Sequence, residues 1–172
     1  MKKIILLFVL MLFTFNSYSQ EKGYVGVGLG VAIPGGDISE GDTGIAMNLI
    51  GLGFMFSEKI GGTINWGSSG HTIEGGSFGA GYLGIGPLFR FDAGKNMTFD
   101  VKPQYSSSAM VVKVDGVGEV SNSGNGFILG TSLNFSKSKK WGWNVDLDYQ
   151  GGKVGDLSYS VIAVRGGIQY RF

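Results

Sequence analysis

The chain has no cysteine, only three prolines and a single histidine, His71. The first absence rules out disulfides, thiol nucleophiles and cysteine metal sites. Few prolines set against 32 glycines rule out a collagen-like or proline-rich linker protein. Beyond the first twenty residues no stretch has the roughly 18 unbroken apolar residues that a membrane-spanning helix needs. No basic stripe is present either, so nucleic acid is not an expected partner.

What is present begins with a targeting pattern. Lys2 and Lys3 are followed by an apolar run over residues 4–15 and then by small residues at Ser17 and Ser19. This reads as a secretory signal peptide, residues 1–19, cut after Ser19. The run is too short to span a bilayer of about 30 Å. Removing it takes two lysines from 14 basic residues and nothing from 13 acidic ones, leaving a mature charge of −1 with His71 neutral. Residues 20–172 are expected to form one domain.

That domain is organised around its last stretch, residues 158–172. Ile162, Val164, Ile168, Tyr170 and Phe172 fall on one face of a period-two pattern, and Ala163, Arg165, Gly167, Gln169 and Arg171 on the other. Arginines do not suit the inner face of an ordinary buried strand. They do suit the inside of a barrel whose outside is lipid. The same alternation recurs upstream. Residues 97–105 set Met97, Phe99, Val101, Pro103 and Tyr105 against Thr98, Asp100, Lys102 and Gln104. Residues 141–150 set Trp141, Trp143, Val145, Leu147 and Tyr149 against Asn144, Asp146, Asp148 and Gln150. A soluble barrel that binds apolar ligands would show the reverse.

The pattern predicts eight strands, at residues 23–33, 44–56, 60–66, 78–91, 97–105, 126–135, 141–150 and 158–172. Short connections at 57–59, 92–96 and 136–140 alternate with four longer ones, as periplasmic turns alternate with external loops in outer-membrane barrels. Pro87 inside the fourth strand suggests a bulge over residues 84–87. The facing of the second strand is ambiguous, because both of its faces are apolar towards its end. Asp115-Gly116 between β-branched runs predicts a hairpin protruding beyond the bilayer. Aromatics gather in two belts: Phe89, Phe91, Phe135, Trp141, Trp143, Tyr170 and Phe172 on one side, Trp66, Tyr105, Phe127 and Tyr149 on the other.

Signal pattern, alternating strands and the Tyr170-Arg171-Phe172 ending together resemble the small outer-membrane barrels of the OmpX, OmpA-transmembrane and OmpW type. The resemblance covers about residues 23–172 and shares no catalytic motif. It implies an all-β, eight-stranded, antiparallel up-and-down transmembrane barrel in the cell outer membrane of a Gram-negative cell. It also implies that Tyr170 and Phe172 carry the signal read by the barrel-assembly machinery.

The candidate sites follow from this picture. Arg90, Asp100, Lys102, Asp146, Asp148, Arg165 and Arg171 are expected to share one lumen as a charge network, with Arg165 paired to Asp146 or Asp148. Buried charges need partners, and an eight-stranded barrel is just wide enough for side chains to fill. An ion path is the alternative. Lys113, Asp115, Gly116 and Glu119 mark the external hairpin, whose edge the charges blunt. His71 is expected in a solvated, glycine-rich loop; a triad with Ser69 and an acid is the sharper alternative. Asp37, Glu40 and Asp42 are expected to be solvated turn residues, since their spacing does not match a calcium loop. Glycine spacings around Gly26, Gly28 and Gly30 lack the following helix of a dinucleotide site. The expected protein is a monomer without cofactor and without enzyme activity. Its partners are outer-membrane lipid and, through its loops, something outside the cell. A narrow channel for small or apolar solutes is the alternative function.

Overall fold

The computed structural model describes residues 23–136 and 140–172; the expected signal peptide lies outside them. Eight strands run in chain order: β1 Gly23–Gly36, β2 Gly44–Met55, β3 Ile60–Ile73, β4 Gly76–Gly94, β5 Met97–Val114, β6 Gly118–Ser136, β7 Trp141–Val154 and β8 Leu157–Arg171. Each pairs antiparallel with the next, and β8 pairs back to β1, closing the ring. Backbone bonds between Gly23 and Phe172, 3.0 Å in each direction, finish the seam. Closure leaves no sheet edge inside the bilayer, where an unpaired amide costs several kcal/mol.

The facing is inside out relative to a soluble barrel. Leu29, Ile45, Ile85, Leu147 and Ile162 lie exposed on the outer wall, with Leu29 at 61%. Asp100, Lys102, Asp146, Arg165 and Arg171 are buried within. An apolar band around a charged interior belongs in lipid. Two aromatic groups bound the band. Phe127 and Tyr149 meet at 5.7 Å on one side, and Trp141 meets Tyr170 edge-on at 5.2 Å on the other.

Several boundaries differ from the sequence expectation, with one common cause. Three of the four longer external loops are paired strand. The stretch 67–77, expected as a polar loop, continues the β3–β4 ladder up to Ile73↔Gly76. β5 and β6 stay paired up to Val114↔Gly118, and β7 and β8 up to Val154↔Leu157. Gly75, Gly116 and Gly155 close these hairpins at φ of +72°, +75° and +60°, where a side chain would be strained. Above the bilayer the outer face of a strand meets water in place of lipid, so the alternating contrast that marks the lower halves fades. Only residues 37–43 remain a true loop.

The bulge is also placed elsewhere. β4 keeps one constant register against β5 from Ile85↔Tyr105 to Phe89↔Val101, and pairs with β3 without a shift. The ladder merely skips the three levels centred where Pro87 and Pro103 face each other without N–H groups. A bulge lies in β2, where Leu49 and Ile50 both point outward opposite Val27 and shift the register against β1 and β3, and β4 shifts against β5 only at its end, between Asp92 and Gly94. This resolves the ambiguous facing of the second strand. Gly51, Gly53 and Met55 then turn inward, while Leu52 and Phe54 turn out.

Candidate functional site: the filled lumen and the external hairpin

The inner wall is built in layers. Tyr24, Met55 and Leu88 form an apolar floor at the end with the short turns. Ala32, Ala46, Met110, Val154, Tyr159, Val161 and Ala163 form an apolar ceiling at the opposite end, with Ile38 from the loop 37–43 packed against it. The charges lie between. These two plugs were not legible in the sequence, because their members are scattered singly among glycines and polar residues on several strands.

Within the charged layers every expected side chain points inward, but the pairing follows side-chain reach more than strand register. Arg90 on β4 donates two bonds of 2.8 Å to Asp100 on β5, its register partner. Such a forked pair fits a planar guanidinium to a carboxylate. Asp146 stands directly opposite Arg165 in the β7–β8 register. Arg165 nevertheless pairs with Asp148, and donates 2.7 Å to the Tyr82 hydroxyl across the barrel. Asp146 instead takes Lys102, whose Nζ lies at 3.4 Å, together with the hydroxyl of Ser132 between them and the amide of Asn144 at 2.6 Å. Asp100, Ser132 and Asp146 sit side by side on β5, β6 and β7. The short side chain of Ser132 makes room for Lys102 to cross. Ser132 and Tyr82 were not among the residues expected in the charge network. The signal available was the small inner face of β6, Gly130 and Ser132, between two charged strands.

Above the charges lies a neutral hydrogen-bonded layer. Gln150 donates to Ser108 and Tyr159, and Tyr159 donates to Ser108 at 2.7 Å. Asn65 donates to Gln104 at 3.0 Å. Among the described residues lie two small internal cavities of about 10 Å³, one beside Arg165 and Ser69, another beside Lys102 and Gln169. Each has a volume of about one water molecule.

His71 is the clearest correction. It is buried at 3% exposure on the inner face of β3, not solvated in a loop. Phe78 stacks on its ring at 4.5 Å. Its Nδ1 lies 3.0 Å from the carbonyl of Asp42, and its Nε2 3.0 Å from the hydroxyl of Ser69. A carbonyl only accepts, so Nδ1 carries the proton and Ser69 donates to Nε2. The serine and histidine of the triad alternative are therefore adjacent. The third position is held by a main-chain oxygen, because the Asp42 carboxylate bonds Thr72 at 2.9 Å. Asp37 likewise accepts from the amide of Ser158 at 2.8 Å. Asp37 and Asp42 are exposed turn residues that pin the loop 37–43 over the ceiling, and no metal-binding cluster occurs among the described residues.

The hairpin residues lie where the turn signal put them. Lys113 faces Glu119 across the ladder, and Asp115 and Gly116 form the tip. β5 and β6 are 18 and 19 residues long, against about 10 needed to cross the membrane, so their outer halves stand clear of it. β6 pairs with β7 only from Gly124 onward. Residues 118–123 thus have β5 on one side and an open edge on the other.

No curated protein matches the sequence. Among solved structures, Neisserial surface protein A aligns with a TM-score of 0.76 at 14% identity, over 90% of this chain and 98% of that one. Ail, the attachment invasion locus protein of Yersinia pestis, aligns at 0.59 and 16% identity, over 90% and 100%. OprG from Pseudomonas aeruginosa aligns at 0.57 and 10%, over 88% and 97%. At these identities the likeness is one of fold. The outer membrane protein β-barrel domain family matches residues 4–172. With a charged interior, a lipid-facing exterior and a match over nearly its whole length, the chain belongs to the outer membrane protein β-barrel domain family and is an outer-membrane protein.

Proposed function

We propose that this barrel is a surface-interaction protein whose contacts are made by the β5–β6 hairpin through strand addition. The observation that carries the reading is the open edge of residues 118–123 in β6. An open edge presents unpaired amides and carbonyls in register for an incoming strand. Val117 and Val120 stand beside it at 84% and 69% exposure, offering apolar contacts to the same partner. Lys113 and Glu119 cancel across the ladder, so main-chain pairing and apolar contact, more than net charge, define the partner. That partner is an extended polypeptide at the cell exterior. The attachment protein in the comparison shares this fold, which is compatible with the reading but does not carry it. The apolar floor, paired charges and apolar ceiling support a structural rather than a conducting lumen. The barrel acts as a monomer, inserted by the assembly machinery through Tyr170 and Phe172.

The test replaces residues 111–121 with a two-residue turn, leaving the membrane wall intact. Binding of cells displaying either form to host matrix and cell surfaces is then compared. Loss of binding in the shortened form is expected. Equal binding by both forms overturns the proposal.

A further inference from the structure

The open edge of β6 has two faces, and they differ. Val112 on β5 packs against the apolar ceiling, so it points inward over the lumen. Residues opposite each other in an antiparallel ladder share a face. Val120 stands opposite Val112, so it points inward too, and so does Val114, two residues on from Val112. Leu157 stands opposite Val154, a member of the ceiling, and shares its inward face. Val114, Val120 and Leu157 are exposed all the same. On β6 the outward positions of the same stretch are Glu119, Ser121 and Ser123, all polar and exposed.

The neighbouring hairpin fixes where an added strand lies. β7 follows β6 as far as Val154↔Gly124 and then turns. Asn122 meets that turn, since a Cβ on Gly155 would lie 2.8 Å from its Nδ2. A strand added to residues 118–123 therefore takes up the line of β7 above the turn. An edge of this length is roughly 20 Å and seats about three inward and three outward side chains. The inward ones lie beside Val120 and over Leu157, with Val112 and Val114 one strand further on. There they cover apolar surface that the hairpin leaves in water. The outward ones lie beside Glu119, Ser121 and Ser123 and stay in water. A small apolar molecule on the valines would leave the edge amides unpaired. A peptide without pattern would pair the amides but set polar groups against Val120 and Leu157.

We infer that the partner's docking segment is an extended stretch of about six residues in which aliphatic and polar side chains alternate, the aliphatic ones facing inward over the ceiling. The inference rests on the strand-addition reading above and adds the side-chain pattern to it. Main-chain bonds to an edge accept any sequence, and the side chains of alternate positions supply the selection. Here the selection lies on the inward face, where Val120 and Leu157 gain by being covered, while the outward face accepts any soluble residue.

The test uses the mature barrel folded in detergent micelles and two labelled hexapeptides of one composition, Val-Thr-Val-Thr-Val-Thr and Val-Val-Val-Thr-Thr-Thr, each with the same lysine tail. Fluorescence anisotropy reads the affinity. The alternating peptide is expected to bind about fivefold more tightly, because the blocked one seats a threonine at an inward position even in its best register. Val120→Thr keeps a β-branched residue on the inward face and is expected to bring that ratio towards one. Ser121→Thr, on the outward face, is expected to leave it unchanged. Equal binding of the two peptides, lost for both when residues 111–121 are shortened to a turn, overturns the pattern and leaves strand addition standing. Binding that survives the shortening overturns strand addition and the pattern together. Failure of the wild type to bind the alternating peptide overturns the inference, and the cell-binding comparison above then decides the underlying reading by itself.

Discussion

At the scale of single residues, the lumen shows how buried charge is tolerated. Asp146 has a cation, a hydroxyl and an amide around it, from Lys102, Ser132 and Asn144. Lys102 and Asp146 are both almost wholly buried. Removing one member of such a pair leaves the other uncompensated, whereas removing both leaves only a packing defect. Lys102→Met is therefore expected to destabilise the barrel by about 3 kcal/mol, and Lys102→Met with Asp146→Leu to recover most of that loss. Urea titration of folding in micelles measures both. A double variant no more stable than the single one would mean that the pair contributes by shape alone. That these residues face one another was legible from alternation. Which acid takes which base was not, because Arg165 reaches diagonally past its register partner Asp146 to Asp148.

At the scale of elements, the loop 37–43 is held over the barrel by side chains as well as by backbone bonds from Asp37 to Ser158 and from Asp42 to Thr72. His71 reaches it through the Asp42 carbonyl, Thr72 through the Asp42 carboxylate, and Ile38 seats it on the ceiling. His71→Ala removes a hydrogen bond and the ring stacked on Phe78. The barrel is expected to fold normally, while cleavage within 37–43 by an added protease rises about tenfold, as local opening becomes easier by about 1.4 kcal/mol. Gel mobility with and without heating reports the fold, and the cleavage rate reports the loop. An unchanged cleavage rate would show that Asp37 and Ile38 suffice. The sequence pointed to a solvated histidine, since Gly70 and Gly75 around it suggest a loop. Its burial follows from β3 and β4 continuing above the membrane, where Ser69, His71 and Phe78 line one inner wall.

At the scale of the whole molecule, an apolar plug stands at each end of the lumen and paired charges lie between the two. An ion would have to shed most of its hydration and break a buried pair to pass, a cost of several kcal/mol. Planar bilayers containing the inserted protein are expected to show no discrete conductance steps. Reproducible steps in the wild type would turn Asp100, Lys102 and Arg165 into a filter and favour the channel reading.

What the sequence determined by itself is the architecture: eight strands, their order, which face meets lipid on every strand but β2, and the position of the hairpin tip. Period-two alternation is a local property, and lipid outside with charge inside writes it strongly into each membrane-spanning segment. What only the tertiary structure decided is everything that depends on neighbours distant in the chain. The β2 bulge sets two residues, Leu49 and Ile50, opposite Val27, and the crossed ion pairs follow from lumen width. The ceiling gathers residues from Ala32 to Ala163. Closure of a ring brings these groups together, and no local pattern records that.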